Sequence, residues 1–111
     1  MTRADIEAHW LALTREIMPS VAADRRWPIR NDHCFQRVLL DNACGGTWYA
    51  YISKRPAYRR ADAATLERAI ALGEAVLAGS ADLDELNQRS MQWRRNDQSS
   101  SLSSTSSSAA S

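Results

Sequence analysis

The residues best equipped for chemistry in this chain lie between positions 30 and 60. Arg30-Asn31-Asp32-His33-Cys34 sets an acid, an imidazole and a thiol side by side. A helix beginning there would favour anions at its N-terminus and lower the pKa of a nearby thiol, which makes Cys34 a candidate nucleophile. Cys34 also sits beside Phe35 on an apolar stripe, where cysteine usually serves as a small inert hydrophobe. His33 faces away from that stripe and is the only evident general base. Its plainer role is that of a solvated residue capping the helix.

Arg37 and Asp41 stand four residues apart, the spacing of a surface ion pair worth about 0.5 kcal/mol. Alternatively, Arg37 joins His33, one turn earlier, in an anion-binding ridge. Farther on, Trp48, Tyr49 and Tyr51 lead into Lys54, Arg55, Tyr58, Arg59 and Arg60. Aromatics interleaved with cations suit stacked bases with their phosphates, or a phosphorylated small molecule. A core Trp48 followed by an ordinary solvated loop would produce the same pattern without any ligand. The candidate ligand-binding residues are therefore His33, Arg37, Trp48, Arg55, Tyr58 and Arg59. No metal site is expected, because His9, His33, Cys34 and Cys44 lack the paired short spacings of zinc ligands. Gly45-Gly46 is an isolated pair that fits a helix stop, and no Ser/His/Asp or paired-carboxylate arrangement can be read from spacing.

Charge distribution sharpens the point. The 111-residue chain carries a formal net charge of +1. Residues 25–60 alone hold eight cations against Asp32 and Asp41, while the segments on either side are both acidic. A basic island between acidic flanks favours an anionic partner, a nucleic acid or a phosphorylated ligand among them.

Helical elements must position these residues. Thr2 and Asp5 have capping-box spacing ahead of a stripe of Ile6, Trp10, Leu13 and Ile17, which Pro19 is expected to end. Residues 19–31 read as a connector pinned by Val21, Trp27 and Ile29. Asn31 or Asp32 then caps a second helix with Cys34, Phe35, Val38 and Leu39 on its buried face, stopped by Gly45-Gly46. Trp48 to Ile52 is a short third helix, and Lys54 to Arg60 a basic loop extended by Pro56. Asp62 caps a fourth helix whose stripe runs through Leu66, Ala69, Ile70, Gly73, Val76 and Leu77. Gly73 costs about 1 kcal/mol against Ala there, so a neighbouring helix is expected to cross closely. A fifth helix carries Leu83, Leu86, Ser90 and Trp93, with Asp82 and Glu85 as a second capping box, Asn87 bonding a loop backbone, and Arg94 and Arg95 complementing its C-terminal dipole. The short break at Gly79-Ser80 makes the last two helices antiparallel neighbours. The expected fold is all-α: one compact bundle of four to five helices over residues 1–97.

Residues 99–111 include nine Ser and no apolar period, so residues 98–111 are expected to form a disordered tail. Cys34 and Cys44 lie about 15 Å apart if both are on one helix, beyond the roughly 7 Å a disulfide spans. Two free thiols, no signal peptide and no apolar run near 20 residues predict a soluble cytoplasmic protein. Nothing in the sequence sets its oligomeric state.

The segments WPIRNDHCFQRVLLDNACGGTWYAYI, KRPAYR, ALGEAVLAG and LNQRSMQWR resemble a family of small proteins of bacteria and fungi, over nearly all of the chain before the Ser-rich tail. That family has no settled function and is often labelled a GNAT-type N-acetyltransferase. The resemblance places His33, Phe35, Arg37, Asp41, Trp48, Pro56 and Arg59 in its distinctive segments and assigns none of them a catalytic role. The label would imply acetyl-CoA as cofactor. Enzymes of that type are α/β proteins with an Arg/Gln-x-x-Gly-x-Gly/Ala pyrophosphate loop, and this sequence contains no such loop. The leading expectation is a non-enzymatic module with no cofactor that binds an anionic partner through residues 25–60. Acyl transfer from acetyl-CoA with His33 as base is the alternative, and a protein-interaction adaptor the third.

Overall fold

The computed structural model describes residues 2–52 and 56–105, with side chains as far as residue 96. Its elements are α1 (Arg3–Ala12), a π-turn (Leu13–Ile17), α2 (Met18–Ala22), α3 (Asp32–Cys44), a 3-10 turn (Trp48–Ala50), α4 (Ala57–Arg60), α5 (Ala63–Ala78) and α6 (Leu83–Thr105). The described residues contain no strand, so the all-α expectation holds. The Ser-rich stretch 98–111 lies beyond the described side chains, and 106–111 lie outside the described residues altogether.

Local chemistry sets most helix ends. Thr2 and Asp5 form a reciprocal capping box at α1. The Asn31 side chain accepts from the Cys34 amide to start α3, and Gly45 closes it in the left-handed region at φ 79°. Asp62 accepts from the Thr65 amide to start α5. Each device satisfies backbone groups that a helix end leaves without partners.

Pro19 does not end the first helix. In a regular α-helix its ring would collide with the carbonyl four residues back. Here the backbone widens just ahead of it: the Met18 amide donates to the Leu13 carbonyl, five residues earlier, and α2 carries on through Pro19. The extra residue in this turn rotates the following stripe by roughly 100°. Ile17, expected in the core, is consequently 43% exposed, while Thr14, Met18 and Ala22 are buried.

The central helix is α3, which buries Phe35, Val38, Leu39, Leu40 and Asp41 and receives both α5 and α6. The antiparallel pairing expected for α5 and α6 is not the main contact; each packs on α3 instead. The buried side of α3 is too broad for one neighbour to cover. Gly73 of α5 sits at a tight crossing: a Cβ there would stand 2.7 Å from Leu13 Cδ2 and 3.1 Å from Leu39 Cδ1.

The links also differ from expectation. Residues 18–22 are helical, and only the stretch after them is a connector, in which Trp27 meets Phe35 edge-on at 5.7 Å and Ile29 packs on the core. The expected extended loop at 54–60 contains α4 instead. Pro56 is extended, at φ −75° and ψ 142°, but that places it at the N-cap, and the Ala-Tyr-Arg-Arg after it is free to wind. The third helix is a single 3-10 turn.

Candidate anion-binding cleft

Asp41 is fully buried, and it organises one side of the molecule. Its Oδ1 accepts from the Trp48 amide at 2.9 Å, and its Oδ2 accepts from the Ser90 hydroxyl at 2.6 Å. Arg94 closes the set in a forked pair, with Nε donating to Oδ2 at 2.9 Å and Nη2 to Oδ1 at 3.2 Å. The same guanidinium lies 5.3 Å from the centre of the Tyr49 ring. One carboxylate thus ties α3, the 3-10 turn and α6 together, its acceptor capacity filled by charge-assisted bonds.

This overturns the expected i,i+4 pair of Arg37 with Asp41. Asp41 points inward to α6, and Arg37 donates instead through Nη2 to the Asn87 side chain of α6. Asn87 therefore serves a side chain rather than a loop backbone. Asn42 completes the seam by donating to the carbonyls of Val38 at 2.8 Å and Leu86 at 2.9 Å. Arg94 is a partner of Asp41 rather than a complement to the end of its helix, since α6 continues well past it.

Beside this seam opens a cleft of about 600 Å³. Its wall includes Arg15 of the π-turn, His33 and Arg37 of α3, Trp48 of the 3-10 turn, Tyr58 of α4 and Arg94 of α6. Four of the six candidate residues thus share one cavity: His33, Arg37, Trp48 and Tyr58. Arg59 stands next to it, its guanidinium 5.8 Å from the Tyr58 ring centre. Arg55 lies outside the described residues. Sequence reasoning missed Arg15 and Arg94, because each belongs to an acidic flank where nothing in the local pattern singles it out.

The arginines are unequally compensated. Arg94 has Asp41, and Arg15 pairs loosely with Asp32, Nε and Oδ2 3.9 Å apart. Arg37 forms no ion pair among the described residues, and its Nε is buried without an acceptor. An unmet buried donor costs about 1–3 kcal/mol, more on a charged group. Gln36, also on the wall, is fixed by donating to the buried Thr14 hydroxyl at 3.0 Å, which in turn donates to the Trp10 carbonyl at 2.9 Å. The π-turn that buries Thr14 therefore places Arg15 beside Gln36 on the cleft.

Neither cysteine takes part in the cleft wall. Both are half-buried free thiols, and burial, then the Asp41 charge, pushes the Cys44 thiol up, away from the reactive thiolate. The described residues hold no group of three or more His, Cys, Asp or Glu able to bind a metal, and no helix long and apolar enough to cross a membrane.

Set against protein-family models, curated proteins and solved structures, the chain matches none of them.

Proposed function

We propose that this protein is a binding module that takes an anionic ligand, a phosphorylated molecule or a nucleic acid, in the cleft between the π-turn, α3, α4 and α6. The observation that carries the reading is Arg37: a guanidinium on the cleft wall, with one buried N–H lacking an acceptor and, among the described residues, no carboxylate paired with it. An anion in the cleft supplies the missing countercharge. Arg15 and Arg94 bring two further guanidiniums to the wall from two other elements, each with a carboxylate partner of its own.

The test is titration of the full chain with inorganic pyrophosphate, following the arginine Nε–H resonances by NMR. The Arg37 and Arg94 signals are expected to shift together, with affinity falling as salt rises. Arg37→Gln should weaken binding at least tenfold with the fold intact. If pyrophosphate, nucleotides and oligonucleotides all leave these resonances unmoved at millimolar concentration, the reading is wrong.

His33 on the same wall is the one feature that favours acyl transfer, since it sets an imidazole beside the cationic surface. Turnover of acetyl-CoA with an amine acceptor, abolished by His33→Gln, would promote that reading over simple binding.

A further inference from the structure

We infer that the ligand of this cleft is a compact phosphate ester carried on a flat ring system, of the nucleoside monophosphate class, rather than a nucleic-acid strand. The inference rests on the anion-binding reading above and narrows it.

The arrangement of cations is the first argument. Proteins that hold single strands track the backbone with cations spread along a groove. Here Arg15, Arg37 and Arg94 converge from three elements on one cavity of about 600 Å³, a size suited to a single small molecule. Several of the other arginines are engaged in holding the fold. Arg25 donates to the Leu77 carbonyl at 2.7 Å, at the C-terminal end of α5. Arg3 donates to the carbonyls of Tyr58 and Ala61, both at 2.8 Å, and thereby docks α4 on α1. Arg25, a member of the basic island, is thus committed to the fold rather than to a binding track.

The aromatics are the second argument. Trp48 and Tyr58 share the cleft wall with the cations. Trp48 meets Tyr49 edge-on at 5.7 Å, and Arg59 lies over the Tyr58 ring. A flat ring attached to a phosphate engages the aromatic and the cationic parts of this wall at once. The Asp41 carboxylate holds both the Trp48 backbone amide and the Arg94 guanidinium, and so anchors two of the wall residues at one point. Cations and rings on one wall match a ligand that carries both a phosphate and a ring.

The experiment is calorimetric titration of the full chain with four probes: AMP, ribose 5-phosphate, adenosine and a ten-nucleotide oligoadenylate. AMP is expected to bind at least tenfold more tightly than ribose 5-phosphate, with adenosine weaker than either. Trp48→Leu should erase the AMP advantage and leave ribose 5-phosphate binding unchanged, and Trp48→Phe, which keeps a flat ring, should retain most of it. Should Trp48→Leu fail to fold, Tyr58→Leu makes the same comparison from the second ring. Equal affinity for AMP and ribose 5-phosphate would overturn the ring component while leaving the anion reading standing. Tighter binding of the oligonucleotide than of AMP would overturn the single-molecule component. Failure of every phosphate-bearing probe would remove the anion-binding reading itself.

Discussion

The Asp41 carboxylate and the Arg94 guanidinium, 53 positions apart, meet in a forked pair of hydrogen bonds at 2.9 and 3.2 Å, with the carboxylate wholly buried and the arginine reaching the cleft. The pair joins the central helix to α6, and a further partner, the Trp48 amide, adds the 3-10 turn. The fold and the candidate site therefore share one electrostatic hinge pin. A change there should be felt in both.

Removing either charge should be costly. Asp41→Asn leaves Arg94 without its counterion, and Arg94→Met leaves a buried carboxylate with only Ser90 and the Trp48 amide. Each is expected to lose about 3–5 kcal/mol in urea unfolding, as broken buried pairs do. The double variant should lose less than the two added together, by at least about 1 kcal/mol. Additive losses would show that the pair contributes no coupling.

Gly73→Ala should destabilise the protein even though it improves helix propensity. The propensity gain is about 1 kcal/mol. Against it stands a new methyl carbon 2.7 Å from Leu13 and 3.1 Å from Leu39, both enclosed in the core. Overpacking of this kind costs about 1–3 kcal/mol, so a net loss near 1 kcal/mol is expected by urea or thermal unfolding. A more stable variant would mean that the π-turn and α3 can give way to α5 at low cost.

The cap of α5 should be visible as a pH dependence. Hydrogen bonds from Thr65, through its side chain and its amide, hold the Asp62 carboxyl below its ordinary value. A depressed folded-state pKa means that the contribution is fully present above the unfolded value. It is lost as pH falls through the folded one. Asp62→Asn keeps a capping side chain but cannot titrate, so it should flatten this part of the melting-temperature profile between about pH 5 and pH 2. Identical acid-side profiles for variant and parent would show that the Asp62 charge has no part in the cap.

Much of the fold was legible because its signals are local. Thr2, Asn31 and Asp62 cap helices by bonding amides three residues on, a relation visible in any short window. Phe35, Val38 and Leu39 recur at helical spacing and are buried. Gly73 inside a stripe announced a close crossing, which the Leu13 and Leu39 contacts supply. The π-turn was not legible: the spacing of Ile6, Trp10, Leu13 and Ile17 fits an unbroken helix, and only packing shows that Met18 replaces Ile17 inside.

The sequence by itself determined that the chain is helical, where its main helices begin, and which residue types could meet an anion: His33, Arg37, Trp48 and Tyr58. Only the tertiary structure decided that these four share a cavity, that Arg15 and Arg94 join them from acidic segments, and that Asp41 serves Arg94 rather than Arg37. The physical reason is range. Caps and stripes are set by neighbours within one or two helical turns, whereas Arg37 and Asn87 are 50 residues apart and Asp41 and Ser90 are 49. Helical spacing makes Asp41 and Arg37 look like partners, but the burial of α3 between two other helices turns the carboxylate inward, where the nearest cation is on α6.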